Sequence, residues 1–447
     1  MTRIVITGGA VLTADPAQPL RHGVDVVIED DTIVSVGPDA DITGAEVIDA
    51  RGSIVMPGLV DTHLHVWEYG WRGIMMRKNT KYDYIELLWK TGAGYQSVDT
   101  YESTLGASMD GINNGVTGVL DFMHGANTTD AHTDGAVSAY RETGQRVMLA
   151  VGSRKPYTAP AAEFDAARAA RIADVARLRE ATRGDALIDP GVALVTPDGG
   201  RLWEQFVQDI GASRDMGARM TFHANEIGEF HRMDQAGLLG SDIVPSHGNR
   251  ASEIELKALA EHDVVLSVSP YSEVSSGKSP AMWNRAVRAG VRLALSVDVP
   301  PGIIPISEFA QMRQFWAVLN VFDRLDAREG GRFGGPYALD PHTLTLDEVV
   351  EAGTYNGALA LGYENLGRIA PGQLADVIVV RPEPGDVVLE DPAAYVVMST
   401  PSSHEVSHVI IGGVVRKRDG VLTDADRLDL AAVNAHCRER VMRIVEG

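Results

Sequence analysis

Eight short strand-like runs, each followed by a helix-like stretch, leave the middle of this chain few ways to fold. They are the run ending at His65 and residues 118–122, 147–151, 192–195, 219–223, 243–247, 264–268 and 293–298. Residues 161–183 and 252–261 are typical of the helix-like segments between them. Repeated β–α units make neighbouring strands parallel, and eight of them close into a (β/α)8 TIM barrel. Pro245 is the one awkward residue, because proline cannot donate to a strand ladder. The two ends read differently. Ile4–Ile6, Ala10–Leu12, Val24–Ile28 and Ile33–Val36 at the start, and 376–380 and 408–415 near the finish, are short strands separated by turns. Both ends carry a strand–Gly–Gly–strand segment, which predicts one β-sandwich built from both termini. The fold class expected is therefore α/β. Residues 1–57 open the sandwich, 58–362 form the barrel, 363–421 complete the sandwich, and 422–447 form a terminal helix.

Composition narrows the function classes. Acidic residues outnumber basic ones, 61 to 40, for a formal net charge of −21. Phosphate binding needs a basic footprint, so nucleic acid is not the expected partner. No apolar run of roughly 18 residues occurs, so no membrane span is expected. The start, Met1-Thr2-Arg3-Ile4-Val5, lacks the shape of a secretory leader. Cys437 is the single cysteine, which excludes an internal disulfide and fits a reducing cytoplasm.

The polar residues gather at strand ends. Pro57-Gly58-Leu59-Val60-Asp61-Thr62-His63-Leu64-His65 runs from a turn into a strand that finishes His-x-His. Residues two apart share a strand face, so His63 and His65 can present two imidazoles to one ion. His223, His247 and Asp298 close three further runs. Barrel chemistry sits at the carboxyl ends of the strands, and 13 histidines scattered at random would rarely collect there. Histidine plus carboxylate without thiolate suits a catalytic Zn²⁺, with Fe²⁺ or Mn²⁺ as alternatives.

With those motifs in order, the chain resembles the metal-dependent amidohydrolase superfamily. The likeness is to its aminohydrolase and chlorohydrolase branch, which holds guanine, cytosine and S-adenosylhomocysteine deaminases and triazine hydrolases. Beyond the opening motif it rests on Trp71-Arg72-Gly73, His223-Ala224-Asn225-Glu226, His247 and Asp298. Thr354-Tyr355-Asn356-Gly357-Ala358 and Gly367-Arg368-Ile369-Ala370-Pro371-Gly372 carry it through to the end. The resemblance implies one metal held by His63, His65, His223 and Asp298, with a position left for water. A cation lowers the pKa of such a water from about 15.7 towards 7. It further implies that Glu226 carries the proton to the leaving nitrogen, with Asp298 and His247 orienting or deprotonating the water. His247 is then a hydrogen-bonding residue and not a ligand. No lysine stands at the end of strand four, so the carbamylated bridge of binuclear relatives is not expected.

Departures from the family pattern bear on the substrate. Strand seven reads Ser267-Val268-Ser269-Pro270-Tyr271-Ser272-Glu273, which brings a carboxylate to the expected barrel mouth, and Val299-Pro300-Pro301-Gly302 replaces the usual small polar loop. The long loop 66–97 carries Trp67, Tyr69, Trp71, Tyr82, Tyr84, Trp89 and Tyr95. Such a loop is a lid over a flat substrate or a subunit interface. Substrate contacts are expected from Trp67, Trp71, Arg72, His124, Tyr271 and Glu273. The expected activity is deamination of a heteroaromatic or amidine-like C–N bond in a small molecule by a homo-oligomer, a dimer or tetramer. Hydrolysis of a ring amide or a C–Cl bond, and a non-catalytic scaffold, are the alternatives.

Overall fold

The computed structural model describes residues 2–74, 84–156, 158–197, 200–278, 280–299, 305–329, 344–383, 391–424 and 428–446. Eight parallel strands form the central sheet in sequential order: Leu59–Leu64, Val116–Met123, Arg146–Val151, Ile188–Ala193, Met220–Ala224, Ile243–His247, Val265–Val268 and Arg292–Leu295. We refer to them as barrel strands one to eight. Each expected run is present. The side chains explain the uninterrupted apolar runs. Val60, Leu120, Met148, Ala150, Val244, Val265 and Ala294 fill the barrel interior, while Val119, Leu149, Val192 and Leu266 pack outward against helices. A strand covered on both faces needs no polar alternation. Pro245 sits inside strand six all the same, paired in register with Phe222 of strand five.

The barrel closes at the functional end. Strand eight stops at Leu295, three residues earlier than the sequence suggests, and Asp298 instead forms an isolated parallel bridge to Leu64. Its amide donates to the His63 carbonyl at 2.8 Å, and the His65 amide donates back to its carbonyl at 2.9 Å. Closure and ligand placement are thus one event.

Two further sheets hold the terminal segments. A four-stranded sheet takes Thr32–Gly37, Asp25–Glu29, Arg3–Thr7 and Glu46–Asp49. A seven-stranded sheet pairs Ile54–Pro57 from the N-terminal segment with Val377–Val380 from the C-terminal segment, antiparallel. Ile4, Ile6, Val26, Ile28, Val55, Val377, Val379 and Ile410 bury a common core between the sheets, so residues from both termini make the sandwich. The chain crosses into the barrel at Pro57-Gly58, where a Cβ on Gly58 would lie 2.2 Å from the Thr117 hydroxyl. Only glycine fits that approach. A bidentate pair locks the junction: both Asp376 oxygens accept from the Arg146 guanidinium at 2.9 Å, fully buried.

The terminal helix runs Leu430–Glu446, later than the expected start at 422, because Leu422 pairs with Lys417 in an edge strand. Its Val441 and Val445 pack on Trp67, Trp71, Leu87 and Leu88. No helix among the described residues is long and apolar enough to cross a membrane.

Candidate metal centre

At the carboxyl end of the barrel four donor atoms converge. Asp298 Oδ1 lies 3.2 Å from His63 Nε2 and 3.5 Å from His65 Nε2, and His65 Nε2 lies 3.3 Å from His223 Nε2. A tetrahedral ion with ligands at roughly 2.0–2.1 Å has ligand–ligand edges of about 3.3–3.4 Å. The spacing fits one ion.

Hydrogen bonds on the far side of each ring set which nitrogen faces inward. His65 Nδ1 donates to the Phe122 carbonyl at 3.0 Å, so its Nε2 carries the lone pair. His63 Nδ1 lies 2.9 Å from the Ser246 hydroxyl, and its buried Nε2 has no hydrogen-bond partner. Outer partners of this kind fix the tautomer of metal-binding histidines. Burial, with the neighbouring imidazoles next in weight, holds His65 and His223 well below the usual histidine range, so both are neutral lone-pair donors. Burial alone would raise Asp298. His63, 3.2 Å away, and the other surrounding imidazoles override it and hold the carboxyl well below its usual value. A cluster of neutral donors around one carboxylate, with an unpartnered Nε2 at its centre, suits a divalent cation.

Backbone strain marks the same place. His247 and Asp298 adopt φ of 75° and 70°, the left-handed region that non-glycine residues enter at a cost of order 1–3 kcal/mol. At His247 this breaks strand alternation, so adjacent Ser246 and His247 both approach the cluster, Ser246 against the outer nitrogen of His63. Asp61, two residues before His63, accepts from the His63 amide at 3.1 Å and the Val297 amide at 3.3 Å, tying strand one to the segment after strand eight. Burial pushes its carboxyl up to about 8, with Glu308 beside it.

His247 stands beside the donors. One of its ring nitrogens lies with one ring nitrogen each of His63 and His223 and an Asp298 carboxylate oxygen in a group of atoms all within 4.8 Å of one another. Its Nδ1 lies 3.1 Å from Glu273 Oε1. Glu273 is fully buried and also accepts from the Ser269 amide, the Asn249 amide group and the Trp283 indole. It is not at the barrel mouth. It stands behind His247, because strand seven turns at once into the helix Pro270–Ser275, which carries Glu273 back under the ring.

A cavity of about 890 Å³ opens above the donors. Its walls include Tyr84, Leu88 and Trp89 from the helix Tyr84–Gly94, with His124, Phe164, Leu194, Asn225 and Tyr271. His124 stacks on His65 with ring centres 4.2 Å apart, and burial lowers its pKa to about 3. His124 and Tyr271 are therefore where substrate contacts were expected. Trp67, Trp71 and Arg72 are not. The two indoles are buried against the terminal helix, and Arg72 stacks on Tyr69 and pairs with Asp110 at 2.6 Å. A distant C-terminal helix captures them, and nothing near residue 70 in the sequence announces it. Glu226 is half-buried just past strand five, its amide donating to Glu229 at 3.2 Å, and its neighbour Asn225 lines the cavity. Tyr82 and Pro300-Pro301-Gly302 lie outside the described residues. Ser272, whose hydroxyl donates to Asp298 Oδ2 at 2.5 Å, escapes sequence reasoning, because its role depends on that short helix after strand seven.

The family profile described as "Amidohydrolase family" matches residues 54–416. The chain belongs to the amidohydrolase family. It is a hydrolase of carbon–nitrogen bonds other than peptide bonds. Among curated relatives, the 5-methylthioadenosine/S-adenosylhomocysteine deaminase of Natronomonas pharaonis is 28% identical, with 100% of this chain and 99% of the relative covered. The 5'-deoxyadenosine deaminase of Methanosarcina mazei is 26% identical, with 94% of each covered. In fold, this amidohydrolase superposes on a zinc-bound adenosine deaminase from Xanthomonas campestris with a TM-score of 0.81 at 20% identity, covering 100% and 99% of the two chains. It superposes on a zinc complex of atrazine chlorohydrolase from Arthrobacter aurescens at 0.76 and 18% identity, covering 98% and 100%.

Proposed function

We propose that this amidohydrolase deaminates a heteroaromatic amine, replacing an exocyclic amino group with oxygen and releasing ammonia. The observation that carries the reading is the convergence of His63, His65 and His223 Nε2 with Asp298 Oδ1 on the floor of a cavity walled by aromatic residues. The deaminase names of the curated relatives support it. His63, His65, His223 and Asp298 would hold the cation, for which zinc is proposed from the nitrogen-and-carboxylate donor set and the zinc-bound neighbours. When bound, such an ion would make water nucleophilic near neutral pH.

The chain's own groups do the rest. Asp298 stays ionised, and Ser272 holds its second oxygen in place. His247, whose Nδ1 donates to Glu273 behind it, keeps its Nε2 lone pair to accept a hydrogen bond from the attacking water. The tetrahedral adduct collapses only once the leaving nitrogen is protonated, which calls for an acid at the cavity edge. Glu226, three residues past His223, is assigned that proton. Tyr84, Leu88 and Trp89 cover the ring and exclude water.

A cytoplasmic, homo-oligomeric enzyme completes the proposal. It is supported by the lone buried Cys437 and by exposed apolar side chains such as Ile227 and Val274. Ammonia release from amino-purines, amino-pyrimidines, pterins and triazines, run beside amide, lactam and chlorotriazine panels, tests the reaction class. Turnover confined to the amide or chloride panels would replace deamination with those chemistries.

A further inference from the structure

Charge is distributed unevenly around the cavity above the donor cluster. Apart from Asp298 on its floor, the only carboxylate or ammonium residues lining it, among those described, are Lys155 and Lys278. Lys155 follows barrel strand three, and Lys278 follows the helix after strand seven. Those strands lie on opposite sides of an eight-strand ring, and both lysines line the same cavity. The described residues give neither ammonium a carboxylate partner. The backbone amide of Lys278 donates to the Glu273 carbonyl at 2.9 Å, which anchors the residue at the base of its loop.

Carboxylates outnumber cations 61 to 40, and most arginines in the structure meet an acid. Lys278 is only partly exposed, and a half-desolvated ammonium without a counter-charge is costly. An occupant that carries its own negative charge removes the cost, and the positive rim of a low-dielectric cleft would draw it in.

We propose that the substrate is a heteroaromatic amine bearing an anionic substituent, a carboxylate or a phosphate monoester, bound at the mouth by Lys278 and Lys155 while its ring reaches the centre. This rests on the deaminase reading above and narrows it. Apolar walls from Trp89, Phe164 and Leu194 hold the ring, and the two point charges hold the anion.

The test uses matched pairs that differ only in the anion: pterin against pterin-6-carboxylate, and adenosine against adenosine 5'-monophosphate. Each is offered to the full-length zinc-loaded protein, with ammonia release and equilibrium binding by calorimetry read separately. The anionic member of at least one pair should bind about tenfold tighter or more, the size of one charge-assisted contact. That preference should shrink in Lys278→Met and in Lys155→Met and weaken as salt is raised. Preference for carboxylate or phosphate names the anion. Equal or tighter binding of the neutral members overturns the proposal, as does a preference unchanged in both lysine variants, or no binding by any of the four compounds. Anion-selective binding without ammonia release leaves the positive mouth standing and overturns the deaminase reading instead.

Discussion

Glu273 Oε1 lies 3.1 Å from His247 Nδ1, on the side of the imidazole away from the donor cluster. Four donors surround this one carboxylate, from Ser269, Asn249, Trp283 and His247. The arrangement makes Glu273 the residue that orients His247, where the sequence suggested a substrate contact.

Glu273→Gln therefore tests orientation. Glutamine can still accept from His247, but its amide group then faces the donors of Asn249 and Trp283. Loss of an outer partner of this kind costs about 10- to 100-fold. We expect kcat to fall within that range while KM changes by less than about threefold. Steady-state kinetics on whichever panel compound is turned over decide it, and a pure KM effect would return Glu273 to the substrate.

Ligand loss should separate the histidines. His63→Ala or His65→Ala removes a donor from a set with no spare, so metal content by elemental analysis should fall to near zero. His247→Ala should keep the metal and lose most of the rate. Metal loss in His247→Ala would make it a ligand.

For the proton, Glu226→Gln should keep metal and lower kcat by about 10²–10⁴, the usual contribution of a general acid–base group. A near-silent Glu226→Gln would assign the proton to another group.

The pH dependence has a definite sign at His124. Burial lowers its folded pKa to about 3, so on unfolding it takes up a proton at any pH below its ordinary value near 6.5. Below that pH the unfolded chain binds more protons than the folded one, and stability falls as pH falls. His124→Asn removes the penalty. The melting temperature of the variant relative to the wild-type chain should therefore rise as pH goes from about 7 to about 5, and a constant difference would contradict the assignment.

The barrel was legible because its signal is repeated: eight largely apolar, mostly buried runs need no long-range information to be seen. The donors were legible because strand ends place them. What stayed hidden depends on contacts distant in sequence. Trp67 and Trp71 look like lid residues until the helix Leu430–Glu446 covers them. Glu273 looks exposed until the turn after Ser269 carries it under His247, and Ser272 reaches Asp298 by the same turn. The φ of 75° at His247, which turns Ser246 and His247 to one side, leaves no trace in composition or periodicity.

Everything proposed for the reaction turns on one cation at His63, His65, His223 and Asp298 enabling hydrolysis of a C–N bond. The direct measurement is a metal titration of the chelator-stripped protein, following ammonia release against zinc added per chain. The rate should rise linearly, reach its plateau at about one equivalent and vanish on re-chelation. Ammonia release at the full rate from the metal-free chain would contradict it.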